Sequence, residues 1–242
     1  MAGAEGCATS PTISPDRSAV YAGDSRGSFY AFDAEDGHRL WQNPPQLGNM
    51  LGSPTAAGDD GSIYVATDER LHKLLPDGTV LWSKTYHEYA RREEWVKKVD
   101  ENGDGVEDYV RFAMPAGLAV TSPNRVLLPL TLGYLLPDQG SSVALWPTQA
   151  VLAVLDRDGE MAAGPFPVPD VVETTACADR HGNVYVAHVS ALSSVCSTLY
   201  CKLHLDRLGL PLDAPIEPVG GLSVLRAAGA AGAPPARGKQ HP

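Results

Sequence analysis

Short runs of alternating apolar and polar residues, each closed by a turn rich in glycine, aspartate or proline, recur along this chain of 242 residues. Four runs are nearly the same: Thr12-Ile-Ser-Pro-Asp-Arg-Ser-Ala-Val-Tyr-Ala-Gly-Asp24, Gly61-Ser-Ile-Tyr-Val-Ala-Thr67, Asn124-Arg-Val-Leu-Leu-Pro-Leu130 and Gly182-Asn-Val-Tyr-Val-Ala-His188. Alternation of period two predicts half-buried β-strands, because successive side chains of a strand point to opposite faces. In the first two copies a turn glycine follows, Gly37 or Gly78, with Trp41 or Trp82 four places on. Those tryptophans lie 41 residues apart, the period of a four-stranded blade.

The first unit predicts strands at Thr12–Ser14, Ala19–Gly23, Ser28–Asp33 and a fourth ending at Leu40-Trp41. The second predicts Ser62–Thr67, Leu71–Leu75 and Val80–Trp82, with a tight hairpin at Pro76-Asp77-Gly78, the strongest kind of short hairpin signal. The third runs from Leu118 through Val126–Leu130 and Val151–Leu155 to a turn at Asp156–Gly159. The fourth runs from Thr174 through Val184–Val189 and Leu199–Leu205 to a turn at Asp206–Gly209. The tryptophan is lost in the later copies, where Ala163 and Asp213 hold its place. The expected fold is therefore all-β: a propeller-like array of about four four-stranded antiparallel blades over 12–42, 53–83, 118–166 and 172–212. A closed ring and an incomplete one are both compatible with four units. Residues 1–225 form the repeat domain, with an insertion at 84–115, and the Ala/Gly/Pro-rich 226–242 reads as a disordered tail.

Ala31-Phe32-Asp33-Ala34-Glu35-Asp36-Gly37-His38-Arg39-Leu40-Trp41 resembles the repeat of quinoprotein-like (PQQ-like) propellers, Ala-x-Asp-x-x-Thr-Gly-x-x-x-Trp, with Asp36 in place of threonine. In the second copy Lys73 and Leu75 replace the alanine and aspartate. The resemblance implies that each tryptophan docks against the neighbouring blade. It also implies, for the enzymes of that family, pyrroloquinoline quinone (PQQ) held beneath a ring of two adjacent bonded cysteines. This chain has no adjacent cysteine pair and fewer blades than those enzymes, so PQQ is not expected. The chain looks like the family's non-catalytic scaffolds, with a fragment of a PQQ-dependent oxidoreductase as the alternative.

The departures from the repeat carry the chemistry. Between the second and third copies, Asp100-Glu101-Asn102-Gly103-Asp104-Gly105-Val106-Glu107-Asp108 sets oxygen-bearing side chains at alternate positions around a glycine turn, a pattern that wraps one hard cation. It resembles the calcium hairpin of integrin-type propeller repeats. Asp100, Asn102, Asp104 and Asp108 would offer side-chain oxygens and Val106 its carbonyl. The EF-hand pattern fits less well, since its twelfth position is Arg111 rather than glutamate. The alternative is an acidic turn without an ion. Residues 86–99 read equally as a short helix or a strand.

Two further expansions fall in one hairpin of later copies, Gly133–Pro147 and Ser190–Thr198. Strand alternation predicts that these and the calcium loop crowd one face of the array. Trp95, Tyr109, Tyr134 and Trp146 would then be available to a protein or glycan partner, unless the loops merely cover blade edges or pair the chain with itself.

Composition narrows the partner. A net charge of −10 opposes nucleic acid and anionic membranes and favours cations. No apolar run is long enough to span a bilayer, and the N-terminal residues lack the basic start and apolar stretch of a signal peptide. Of the four cysteines, Cys196 and Cys201 are spaced to close a small disulfide in an oxidising compartment, which would fit an extracellular or periplasmic protein. Reduced thiols on a loop are the alternative, and Cys177 reads as a small core residue. The histidines form no catalytic motif, and the paired aspartates sit in turns they favour for backbone reasons. No catalytic residue is expected.

Overall fold

Aspartates accept backbone amides at turns in all four sheets, at Asp16, Asp60, Asp156 and Asp179. The computed structural model describes residues 9–49, 54–90, 98–99, 109–121, 125–136, 144–168, 172, 174–189 and 220–226. In the first sheet, β1 (Thr12–Ile13), β2 (Ala19–Gly23) and β3 (Phe29–Asp33) pair antiparallel in that order. The Asp16 carboxylate accepts from the Ser14 hydroxyl at 2.6 Å, the Ser18 hydroxyl at 2.8 Å and the Ser18 amide at 3.1 Å. Those donors, Ser14 foremost, hold its pKa down at about 2. The expected fourth strand is reduced to isolated bridges, Phe32↔Arg39 and Ser28↔Gln46. Pro44 and Pro45 there have no amide hydrogen to offer a ladder.

The second sheet is a complete blade, with order β4 (Thr55–Ala57), β5 (Ile63–Ala66), β6 (Arg70–Leu74) and β7 (Val80–Thr85). Helix α1 (Tyr86–Ala90) follows directly, resolving one part of the segment that the sequence leaves open between helix and strand. Glu88 reaches back to the Thr85 amide at 3.1 Å, the reciprocal half of a capping box, and Tyr86 and Tyr89 are buried beneath the helix.

The third sheet contains β8 (Lys98–Val99), β9 (Tyr109–Pro115), β10 (Ala119–Thr121), β11 (Arg125–Leu136), β12 (Ala144–Leu155) and β13 (Met161–Val168). Its order is β13-β12-β11-β9-β8, with β10 also on β11. Two sequence expectations change here. Gly133–Pro147 is largely not a loop, because β11 and β12 continue pairing out to Leu136↔Ala144, past a register shift at Leu132/Gly133. The 84–115 insertion is not separate from the blade either, because β9 takes the edge of the extended β11 from Leu130↔Pro115 to Leu135↔Val110. The longer hairpin is possible because β9 pairs backbone groups that would otherwise form an open edge.

The fourth sheet has order β14 (Cys177–Ala178), β15 (Val184–Val189) and β16 (Gly220–Leu225). The partner of β15 is thus 220–225 rather than the expected 199–205, which lies outside the described residues. Cys177 is exposed rather than a core residue.

Three apolar cores join the sheets in chain order. Tyr21, Phe29 and Trp41 pack with Ile63, Val65 and Leu74 between the first and second sheets. Tyr64 and Leu71 pack with Tyr89, Leu128 and Leu155 between the second and third. Leu127 and Leu152 pack with Val186 between the third and fourth. None of these cores joins the first sheet to the fourth, so the described residues form an open array.

The tryptophans make the joints that the repeat implies. Trp41 lies on the turn of the second sheet: its indole N–H donates to the Pro76 carbonyl at 2.9 Å, and a Cβ built on Gly78 would be 3.1 Å from its ring. Trp82 repeats this on the third sheet, where a Cβ on Gly159 would be 2.8 Å from the ring. Glycine is required there twice over, since Gly78 and Gly159 have φ of 90° and 75°.

A buried histidine makes the second sheet sensitive to acid. His72 Nδ1 lies 2.7 Å from the Ser83 hydroxyl, and the side chain is almost fully enclosed. Burial, with Arg70 nearby, pushes its pKa down to about 4. The folded protein therefore holds His72 neutral where the unfolded chain binds a proton, so stability falls as pH drops from about 6.5 towards 4. The loss expected by pH 4 is about 1 to 3 kcal/mol, read from urea titrations at stepped pH. His72→Gln should flatten the curve over that window while leaving the steeper carboxylate-dependent loss below it.

Candidate functional site

The extended end of the third sheet carries three aromatic positions that depart from the repeat. β8 pairs with β9 through Lys98↔Val110 and Val99↔Tyr109. Residues 98–99 and 109–110 are thus antiparallel neighbours at one end of the sheet. β11 and β12 end their pairing at Leu136↔Ala144, and Val110 stands opposite Leu135. Val99 and Tyr109 therefore stand at the same end of the sheet as Leu136 and Ala144. Tyr134 stands opposite Trp146 on one side and Arg111 on the other, and Tyr109 opens β9 two residues before Arg111. Three of the four aromatic positions named from sequence are therefore brought to one end of three neighbouring strands.

The calcium-loop residues Asp100, Asn102, Asp104, Val106 and Asp108, the fourth aromatic Trp95, and Cys196 and Cys201 all lie outside the described residues. So does the expansion that follows Val189.

Among the described residues, Asp33, Asp36 and His38 bring ligand-type atoms within 4.8 Å of one another. Turn geometry accounts for them without an ion. Asp33 Oδ1 accepts from the Glu35 and Asp36 amides at 2.8 and 3.2 Å, and Asp36 Oδ1 accepts from the His38 amide at 2.9 Å and meets His38 Nδ1 at 2.6 Å. The Asp36 contact raises the His38 pKa, and both of these side chains are exposed. Asp179 is engaged in the same way, accepting from the His181 and Asn183 amides, the Asn183 side chain and the Tyr185 hydroxyl.

One buried polar arrangement escaped the sequence reading. Lys73 is enclosed between the second and third sheets. Its ammonium donates to the Arg157 carbonyl at 2.8 Å and lies 5.5 Å from the centre of the Tyr64 ring. Arg157 holds the place in its turn that Pro76 holds in the preceding one, two residues before the docking glycine. The lysine thus supplies the joint's hydrogen bond, while the buried Trp82 N–H has no partner among the described residues. Outside the cores, Lys84 and Glu160 add an ion pair across the same joint. The signal was visible in sequence as the departure of Lys73 from the repeat's alanine, but its meaning required the neighbouring turn.

Residues 2–107 match the family model described as outer membrane protein assembly factor BamB. Solved structures with similar folds include BamB from Moraxella catarrhalis, 14% identical with a TM-score of 0.40, covering 75% of this chain and 61% of that one. The β-propeller domain of Cps50 (Swd1) from Myceliophteria thermophila is 10% identical with a TM-score of 0.39, covering 75% of this chain and 62% of that one. Dihydro-heme d1 dehydrogenase NirN is 15% identical with a TM-score of 0.36, covering 77% of this chain and 42% of that one. The chain spans less than two thirds of the length of each of these three structures. A search of curated proteins finds no match.

Proposed function

We propose that this chain is a non-enzymatic binding scaffold, stabilised by calcium in the 100–108 hairpin loop, which presents the extended end of its third sheet to a partner. The observation that carries this reading is the end of the third sheet at which the described ends of β8, β9, β11 and β12 come together, where Tyr109, Tyr134 and Trp146 also stand. A paired sheet is a rigid mount for loops, and loops on rigid mounts are where binding concentrates. The family's description as an assembly factor favours a protein over a glycan as partner. The net charge of −10 disfavours nucleic acid. No helix of the described residues is long and apolar enough to cross a membrane.

Calcium is tested by melting the full chain in excess calcium and in chelator. A ligand that binds only the folded state stabilises by mass action, about 2.7 kcal/mol at a hundredfold excess over Kd. Chelation is expected to lower the melting temperature by several degrees, and Asp104→Ala to abolish that difference. Superimposable melts would reduce the loop to an acidic turn. Titration with PQQ in the presence of calcium tests the catalytic alternative, and a stoichiometric visible absorbance would overturn the scaffold reading.

A further inference from the structure

One exposed hydroxyl on the second sheet is bonded to a buried base. The register of β6 with β7 sets His72 opposite Ser83, and residues directly opposite share a face of the sheet. Ser83 is exposed on β7, whereas His72 is 4% exposed. The Ser83 hydroxyl stands 2.7 Å from His72 Nδ1. The two residues are 11 positions apart, and only the strand register joins them, so no sequence motif marks the pair.

The far side of the ring fixes which nitrogen carries the hydrogen. Thr67 Oγ1 lies 3.4 Å from His72 Nε2. Thr67 gives its one hydroxyl hydrogen to the Arg70 carbonyl at 3.1 Å and accepts from the Arg70 amide at 3.2 Å. Towards the ring it therefore acts as an acceptor, so Nε2 holds the hydrogen and Nδ1 is the bare nitrogen that faces Ser83. The serine proton thus points at a neutral imidazole. Burial, with Arg70 the charged group acting on the ring, keeps that imidazole neutral above about pH 4.

We propose that Ser83 is a reactive nucleophile that takes an apolar acyl group from an activated ester, with His72 as its base and Thr67 positioning that base. An exposed hydroxyl, a base within hydrogen-bond reach and a third group that orients the base are the parts nucleophilic acyl transfer requires. Ser83 Oγ bonds to the acyl carbon while its proton passes to His72 Nδ1. The ester C–O bond then breaks, and the leaving alcohol carries that proton away. The product is an ester on Ser83, formed with no change of oxidation state. The apolar preference follows from the same strand, where Val80 is 39% and Leu81 50% exposed. This reactivity is separate from the scaffold role, since it needs neither calcium nor a partner protein.

The test treats the full chain with p-nitrophenyl hexanoate and with p-nitrophenyl acetate and locates the acyl group by peptide mapping. Acylation is expected at Ser83 ahead of every other serine, and faster with the hexanoate. His72→Gln should slow it about 100-fold. Thr67→Val keeps both nucleophile and base and should slow it by a smaller factor, so the test stands even if His72→Gln does not fold. In the parent, the Ser83 rate should hold level as pH is lowered from neutral and then fall as His72 takes a proton near pH 4. An ordinary surface hydroxyl would be indifferent to both substitutions and would react faster only towards alkaline pH. The nucleophile is excluded if the acyl group settles on lysines alone, if the folded variants label Ser83 at the parent rate, if no fall accompanies acidification, or if acetate reacts as fast as hexanoate.

Discussion

Trp41→Ala should destabilise the protein by about 3 to 5 kcal/mol and detach the first sheet from the remainder. The side chain is 7% exposed, with its ring centre 5.7 Å from that of Tyr21 and 6.2 Å from that of Phe29. Truncation removes the ring that caps the Gly78 turn and opens a cavity between two sheets, which cannot close without shifting paired strands. Besides that core, the first sheet is tied to the second by hydrogen bonds of Thr12 with Thr55, at 2.6 and 3.0 Å. An array whose units touch only their neighbours loses cooperativity when one interface weakens. Urea denaturation followed by hydrogen exchange should therefore show 12–33 opening before the second sheet. Trp41→Phe should recover much of the loss, because it restores apolar volume and forfeits chiefly the bond to Pro76. A cost below about 1 kcal/mol, in the range of an ordinary surface change, would mean that the joint does not hold the sheets together.

Gly117→Ala is expected to cost about 3 kcal/mol, for the opposite reason. Gly117 lies in the link between β9 and β10, where the chain passes against the segment leading into the fourth sheet. A Cβ there would be 2.4 Å from the Thr175 Cα and 2.7 Å from its amide nitrogen. Both are backbone atoms, so no rotamer change relieves the clash, and the two sheets must separate. Separation would loosen the packing of Val186 against Leu127 and Leu152. The fourth sheet should then exchange faster than the third, measured on 177–189 against 150–155. Unchanged stability would show that the link is free to move away from Thr175.

Those two positions divide by how they could be known. The tryptophan, its turn glycine and the 41-residue interval are written in the chain, so strand alternation and blade size were legible before any coordinates, and the resemblance implied that Trp41 docks on the neighbouring blade. Asp16 was legible too, since its role as a turn acceptor follows from side-chain reach alone. Gly117 was not, because its close neighbour is 58 positions away, at Thr175. Lys73 was noticed only as a departure, since its acceptor is the Arg157 carbonyl on another sheet.

The extended hairpin shows the same division at the candidate site. Apolar residues on both sides of 137–143 read as loop insertions because the repeat set the expected strand length, and nothing local marked β9 as the strand that would cover them. Sequence by itself determined the local terms: which segments alternate, where turns form, which copies keep a tryptophan and where an oxygen-rich loop interrupts the repeat. Only the tertiary structure decided that β8 pairs with β9 at the edge of the third sheet, that Tyr134 stands opposite Trp146 across β11 and β12, and that Trp41 and Trp82 close on the Gly78 and Gly159 turns. Local preference acts over a few residues, whereas edge pairing and sheet stacking bring together residues whose separation no local pattern encodes.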